Sequence, residues 1–469
     1  MAEWEPVIGL EIHVQLKTRT KLFCRCENVW GEQENTRTCP TCLAHPGSLP
    51  VANKTAIEWA VKLGLALGCE IAPRALFHRK HYFYPDLPKG YQISQYDIPL
   101  ASDGRFVLPT PEGDREIGIV RAHLEEDAAK TIHVGGAAGR IAGAEYSLVD
   151  FNRGGTPLVE VVSEPDVRSP DEARRFLQLL RQTVVELGIS DAEMEKGSLR
   201  CDANVSLRQA GETGFRTKTE LKNMNSFKFV ADGIAAELER QREIYESGGE
   251  VVQETLHYDP ATGAVTPLRS KEYADDYRYF PEPDLVPVEP PAGMIEAARA
   301  AIGELPAARI RRLEADIGFD LAEGLVSGGR DRLFERVPGD RRAVANVLMN
   351  QFVATGVDPE TVNAQELGKL IEARESIPRA TFDKALAASG SGDFSAERYL
   401  SEAAISDVSE LDPVIERVIA ANEAQVASFR AGKEGVLGYL VGQVMRETQG
   451  KANPKIVNER LREKLGSQT

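Results

Sequence analysis

Along roughly the first three hundred positions, apolar and polar residues alternate as in strands with one dry face and one charged face. In GLEIHVQL, residues 9–16, Leu10, Ile12, Val14 and Leu16 fall on one side of an extended chain, and Glu11, His13 and Gln15 on the other, because strand side chains alternate with period two. An ordinary wet face would carry Thr, Lys or Ser; this one carries a carboxylate and an imidazole two residues apart. The design recurs in GSLRCDANVSLR, where Leu199, Cys201, Ala203, Val205 and Leu207 form the apolar face and Arg200, Asp202, Asn204, Ser206 and Arg208 the polar one. In TKTELKN, Lys218, Glu220 and Lys222 share a face, and in PLVEVVSEPD Glu160 stands between β-branched neighbours. RAHLEEDAAK sets His123, Glu125, Glu126 and Asp127 almost side by side.

Helical periodicity interrupts these strands twice. SPDEARRFLQLLRQTVVELG has Ser169 as cap, Pro170 in the first turn, Glu172 to complete a capping box and Gly188 as its end. A second helix is predicted from Ser226 to Gly248. Five prolines between positions 281 and 291 mark a domain boundary, since proline continues neither a helix nor a central strand. Beyond it Ala, Glu, Leu and Arg dominate in helical patterns. The expectation is an α+β protein: residues 1–292 as a mostly antiparallel open sheet with a polar working face, 293–405 as a helical domain and 406–469 as a helical tail. In the tail, Val436, Leu437, Leu440, Val441 and Val444 form an apolar stripe, and Asn453 with Pro454 restarts a second helix after a basic turn, GKANPK.

Composition narrows the class. The 469 residues carry a net charge of −16, which argues against a protein that coats nucleic acid over its whole surface. The charge is uneven: residues 430–469 hold eight Lys/Arg and four Glu, or +4, so residues 1–429 carry −20. The acidic N-terminal segment MAEWEPV has no apolar run, and the longest apolar stretch, VLGYLVGQVM, is too short to span a bilayer. A cytoplasmic protein without membrane contact is the expectation. In such a compartment the six cysteines read as metal ligands or buried thiols rather than disulfides.

Four of them, Cys24, Cys26, Cys39 and Cys42, form two close pairs that suit a closed tetrahedral zinc site, structural rather than catalytic. Cys69 and Cys201 lie in apolar contexts and read as core. The clustered carboxylates repel one another unless cations neutralise them. Mg²⁺ takes oxygen ligands, commonly one or two carboxylates plus substrate phosphates, so the charged face suits a Mg²⁺–nucleotide cleft with Arg and Lys for the phosphates. There is no GxxxxGK[ST] loop, and GGAAGRIAG lacks the GxGxxG spacing, so an ATP site here would be of the carboxylate–metal kind.

The segments VIGLEIHVQL, HRKHYFYPDLPKGYQISQYD, HLEEDAAK, LVDFNRGGTPLVEVVSEPD, GSLRCDANVSLR, TELKNMNSFKFV and DDYRYFPEPDLVP run in order through residues 7–287. Together with the C-terminal GYLVGQVMRETQGKANPKIVNERL they resemble GatB, the B-subunit family of the bacterial tRNA-dependent amidotransferases. The resemblance implies a catalytic cradle of the glutamine-synthetase kind. It implies ATP-dependent phosphorylation of the side-chain carboxylate of Glu or Asp mischarged on tRNA-Gln or tRNA-Asn, and displacement of the phosphate by ammonia. The ammonia would come from an amidase A subunit that hydrolyses glutamine, with a small C subunit tying the complex together and the mischarging synthetase as a further partner. Carried over residue by residue, the resemblance assigns metal and nucleotide binding to Glu11, His13, Glu126, Glu160 and Asp202, with strand parity leaving Glu125 open beside Glu126. It places Lys80 and Lys89 near the arriving ammonia, and Lys451 and Lys455 on the tRNA backbone. Two rival functions remain from the residues alone: a non-catalytic zinc-containing RNA-binding scaffold, and an ammonia ligase acting on a free amino acid.

Overall fold

The computed structural model describes residues 3–135, 143–270, 277–400, 408–448 and 452–466. The chain divides into two compact units, Met1–Ala308 and Arg309–Thr469.

The first unit is built on a nine-stranded sheet. In chain order its strands are β1 (Trp4–Gln15), β2 (Glu70–Ile71), β5 (Ala101–Thr110), β6 (Gly113–Glu126), β9 (Pro157–Ser163), β10 (Leu199–Gln209), β11 (Thr219–Met224), β12 (Glu254–Asp259) and β13 (Ala264–Ser270). Three short strands, β3 (His78–His81), β4 (Tyr91–Ser94) and β14 (Phe280–Pro281), form a second sheet, and β7 (Lys130–Val134) with β8 (Tyr146–Asp150) a hairpin. The large sheet runs β13-β12-β11-β10-β1-β9-β6-β5-β2, antiparallel except where β11 meets β12. The predicted mostly antiparallel open sheet is what forms.

The most alternating strand, β1, lies between β10 and β9. One of its faces is core: Leu10, Ile12, Val14 and Leu16 are at most 1% exposed, as are Leu199 and Ala203 across from it on β10. Helices α1 (Lys54–Ala66), α2 (Pro170–Glu186) and α3 (Phe227–Glu246) pack against the sheet. Phe106 of β5 meets Phe176 of α2 edge to face at 4.9 Å. Both predicted helices form, with Ser169 Oγ accepting from Glu172 N and Ser226 Oγ from Phe229 N, and with Gly188 and Gly248 in the left-handed conformation just past their ends. The capping box closes differently from its usual form. Glu172 reaches back to the amide of Arg168, one residue before the cap, at 2.8 Å.

The proline-rich segment is paired rather than loose. β14 lies along β3, Glu282 accepts two hydrogen bonds from the Arg79 guanidinium, and Val288 bridges to Ala75. A fourth helix, α4 (Ala292–Ala300), packs against α1, so the first compact unit runs on past residue 292 to Ala308. The second unit is helical. Its C-terminal part has its own core, in which Leu411, Ile415 and Val418 of helix Val408–Ala421 meet Leu437, Leu440 and Val444 of helix Val436–Glu447 and Val457 and Leu461 of helix Pro454–Gly466. The expected start of a tail at 406 falls among residues 401–407, outside the described residues.

Candidate active site

Strand register sets charged side chains opposite one another on the polar face of the sheet. His13 stands opposite Arg200 of β10 on one side and Glu160 of β9 on the other, and Glu160 stands opposite His123 of β6. One row, Arg200–His13–Glu160–His123, therefore crosses four neighbouring strands. One pleat further along β1, Glu11 faces Asp202. A bulge between β10 and β11, where Asn223 takes a φ of +63°, turns Lys222 onto the same face. There it pairs closely with Asp202 and lies 3.4 Å from Glu220.

Glu125 completes the cluster. Its carboxylate lies 3.5 Å from His13 Nε2 and 3.9 Å from His123 Nε2, and accepts a hydrogen bond from Ser94 Oγ at 3.1 Å. Glu160 lies 3.5 Å from His13 Nε2 and 3.6 Å from His123 Nε2. Two sets of possible ligand atoms result, Glu11–His13–Glu160 and His123–Glu125–Glu160, each with all atoms within 4.8 Å of one another.

Burial and crowding move the proton affinities apart. Burial and the Glu160 charge raise the Glu125 carboxyl to about 7, and burial with the same neighbour raises Glu11. Burial opposes a charged His13, yet its hydrogen bond to Glu160 and the charges of Glu160 and Glu125 lift it to about 9. Burial takes His123 the other way, to about 4. Burial also works against the Glu160 carboxylate, but His123 and His13 hold it well below the usual range.

Of the residues the resemblance singled out, Glu11, His13 and Glu160 are brought together, and Asp202 joins them through the register with Glu11. Glu126 is not brought into either cluster. It lies at the end of β6 with its carboxylate turned to the second sheet, accepting from the Ile93 amide at 2.9 Å and pairing with Lys89 at 2.5 Å. Glu125 occupies the place expected of it, because β6 stays in register from Arg121 to Glu126 and so keeps His123 and Glu125 on one face. His123 was noted in the charged run RAHLEEDAAK but assigned no role, and its parity with Glu125 was the signal for one. Lys80 faces the cluster. Burial disfavours its charge, but Tyr279, Glu125 and Glu160 keep its ammonium firmly protonated, and the Tyr277 ring centre lies 4.8 Å from Nζ. Lys89 and Glu126 line a cavity of about 190 Å³ together with Tyr91, Ile93, Phe23 and Cys42.

The four expected thiols converge as well. Sγ atoms of Cys24, Cys26, Cys39 and Cys42 all lie within 4.8 Å of one another. A tetrahedral Zn–S site with bonds of about 2.3 Å has sulfur–sulfur edges of about 3.8 Å, so the donor set fits a structural metal. Cys69 and Cys201 are buried in the core. In the second unit Lys455 is exposed in the first turn of helix Pro454–Gly466, where Asn453 Oδ1 accepts from its amide; Lys451 lies outside the described residues. No helix among the described residues is long and apolar enough to cross a membrane.

A family model described as the GatB/GatE catalytic domain matches residues 6–296, and one described as a GatB domain matches residues 334–465. Curated relatives align over nearly the whole chain. The B subunit of the aspartyl/glutamyl-tRNA(Asn/Gln) amidotransferase of Moorella thermoacetica is 46% identical over 99% of this chain and 100% of its own length. Those of Carboxydothermus hydrogenoformans and Geobacter sulfurreducens are 44% and 45% identical, over 99% and 98% of this chain and 99% of their own lengths.

Proposed function

The chain belongs to the GatB family, the B subunits of aspartyl/glutamyl-tRNA(Asn/Gln) amidotransferases, and from that premise we propose that its charged sheet face phosphorylates the side-chain carboxylate of Glu or Asp esterified to tRNA-Gln or tRNA-Asn. The observation that carries the reading is the row of opposed charges on β10, β1, β9 and β6, with Glu125 beside it.

A carboxylate resists amidation because its leaving group would be oxide. Phosphorylation removes that obstacle: a carboxylate oxygen attacks the γ-phosphorus of ATP, the bond to the β-phosphate oxygen breaks, and ADP leaves. The nitrogen of ammonia then attacks the acyl carbon, the C–O bond to phosphate breaks, and the nitrogen loses a proton. The residues fit Mg²⁺, with carboxylates of Glu11, Glu125 and Glu160 converging, His13 and His123 between them, and Asp202 opposite Glu11. Bound there, Mg²⁺ would neutralise charge on the phosphate oxygens. Lys80 holds a positive charge against the same carboxylates and orients the incoming anions. Lys89, Glu126 and the cavity they line lie on the route by which ammonia from an amidase A subunit would arrive, away from water that would hydrolyse the acyl phosphate. The Cys₄ cluster would hold zinc as a staple, and Lys451 and Lys455 would contact the tRNA backbone. A small C subunit and the mischarging synthetase complete the expected partners, and the cytoplasm is the expected compartment.

The test is ATP cleavage by the assembled complex with Mg²⁺, with and without mischarged tRNA, in wild type, Asp202→Ala and Glu160→Gln. Cleavage that requires charged tRNA and falls at least 100-fold in Glu160→Gln is the expected outcome. Cleavage absent from wild type, with tRNA still bound, would return the chain to the scaffold reading.

A further inference from the structure

Of the cations on the charged face, Lys222 is taken up by Asp202 and Glu220, Lys80 sits against the Tyr277 ring in the field of Glu125 and Glu160, and Arg121 donates through Nε to His123 Nδ1 and lies 3.7 Å from Glu160. Arg200 is different. It stands in the same row as His13, and among the described residues its one acceptor is Asp127, reached through Nη2 at 3.1 Å. The rest of its guanidinium is left for a ligand on the polar face.

Asp127 is built as an anchor. Its side chain is 5% exposed and accepts from Gln15 Nε2 at 2.8 Å, with Arg153 Nε at 3.7 Å. Its own amide donates to the Thr156 carbonyl, and its carbonyl accepts from the Gly155 amide. Arg153 in turn donates to the carbonyls of Ala128 and Ala129, fixing the loop that carries Asp127. Asp127, Arg153 and Arg200 come from three of the segments that resemble the family: HLEEDAAK, LVDFNRGGTPLVEVVSEPD and GSLRCDANVSLR. Two guanidinium groups meet one carboxylate, so the group keeps a positive charge. Against the cost of burial, Glu125 and Asp202 also favour the charged Arg200 guanidinium; with cations bound at those carboxylates, its remaining donors face an anion on the same sheet surface. A purely structural ion pair would need no third charge and no place in the row.

We infer that Arg200, held by Asp127, is the arginine that binds the transferring phosphoryl group during carboxylate phosphorylation. Arg200 is the catalytic residue and Asp127 its positioning residue. The inference rests on the phosphorylation reading proposed above. A planar guanidinium fixed at one edge offers its remaining N–H donors in a set direction, and so meets the equatorial oxygens of a phosphoryl group without reorganisation. An arginine acting on phosphoryl charge is worth about 10³- to 10⁵-fold in rate where it has been removed in other enzymes.

The experiment uses the complete heterotrimer and follows tRNA-dependent ATP cleavage in Arg200→Ala, Arg200→Lys and Asp127→Asn, each with and without added guanidinium ion, beside Glu160→Gln as control. Thermal melts and binding of mischarged tRNA are measured on every variant. The expected result is a fall in kcat of at least 100-fold for Arg200→Ala, partial recovery of at least fivefold with guanidinium, and a smaller fall for Arg200→Lys. Asp127→Asn should lower kcat more than it raises the KM for ATP, and guanidinium should leave it unchanged. The inference is overturned if Arg200→Ala keeps kcat within threefold of wild type, or if its loss follows its melting temperature with no recovery by guanidinium and Arg200→Lys behaves as wild type. Wild type active and Glu160→Gln inactive in those cases would leave the phosphorylation reading standing, whereas a wild type without tRNA-dependent cleavage would sink that reading itself.

Discussion

Lys21 has no exposed surface, and among the described residues its ammonium has two hydrogen-bond partners: the Phe151 carbonyl at 3.0 Å and Cys42 Sγ at 3.9 Å. A buried lysine is costly unless its charge is used. Here it helps to ionise a thiol. The hydrogen bond from Cys24 does most to lower Cys42, burial opposes it, and the Lys21 charge adds to the lowering, leaving the thiol at about 5. A group lowered in the fold favours the folded state above its ordinary value and loses that advantage as pH falls towards the folded one. In metal-free protein the Cys42 contribution therefore fades between about pH 8.5 and pH 5. Lys21→Met, similar in length and without charge, should slow alkylation of Cys42 at pH 6 in metal-free protein by about tenfold and raise the midpoint of its pH profile. The modified site would be read by peptide mass spectrometry. A metal held by the four thiols would follow the same sign, since it takes thiolates and acid returns their protons. If the Cys₄ cluster holds zinc, the variant should yield it to a chelator sooner than wild type, and equal rates would show that the lysine serves only to cap the Phe151 carbonyl.

Among the strands and helices, what could be read from sequence was periodicity, and what could not was register. Period two placed Glu11, His13, Asp202 and Glu160 on charged faces, and the caps at Ser169 and Ser226 were visible from residue type. Which charge would face which depended on strand order, and nothing local says that β9 and β10 flank β1. Glu125 and Glu126 show the limit: two adjacent carboxylates at a strand end both reach β4, but only Glu125 also meets His13 and His123 of the large sheet. The bulge that delivers Lys222 hangs on one left-handed Asn223, again invisible in a pattern. The same holds for Gly104. Gly104 is inside β5, paired with Ile119 just past Asp103 at a φ of +54°. A Cβ on Gly104 would come within 2.5 Å of Cys69 Sγ and 2.8 Å of the Leu67 carbonyl oxygen. Gly104→Ala should thus overpack the corner between α1 and β5 and cost about 1–3 kcal/mol, seen as a melting transition several degrees lower. Adding Cys69→Ala should recover only part of it, because the Leu67 carbonyl still stands in the way. Full recovery would mean that the sulfur is the whole obstacle.

For the molecule as a whole, the uneven charge is less simple than the count suggests. Of the eight Lys/Arg behind the +4 of residues 430–469, two are matched by acids outside the segment. Arg460 pairs with Asp412, and Lys464 pairs with Glu416 at 2.5 Å and with Asp412 at 3.4 Å, all on helix Val408–Ala421. Those ion pairs join helices around the apolar core of the C-terminal part. Lys455 stands exposed in the first turn of its helix, and among the described residues no acid lies in salt-bridge range of it. Each phosphate neutralised by a lysine releases condensed counterion and adds about one unit to the slope of log affinity against log salt. If the tail meets tRNA through its basic turn, Lys455→Ala should weaken binding of charged tRNA several-fold at about 100 mM salt and lower that slope by about one. Lys464→Ala, which removes a comparable formal charge, should leave both nearly unchanged and instead lower the melting temperature slightly, since a partly exposed ion pair is worth about 0–1 kcal/mol. Equal losses of affinity in the two variants would mean that the tail acts through its total charge, and that the turn has no special place in it.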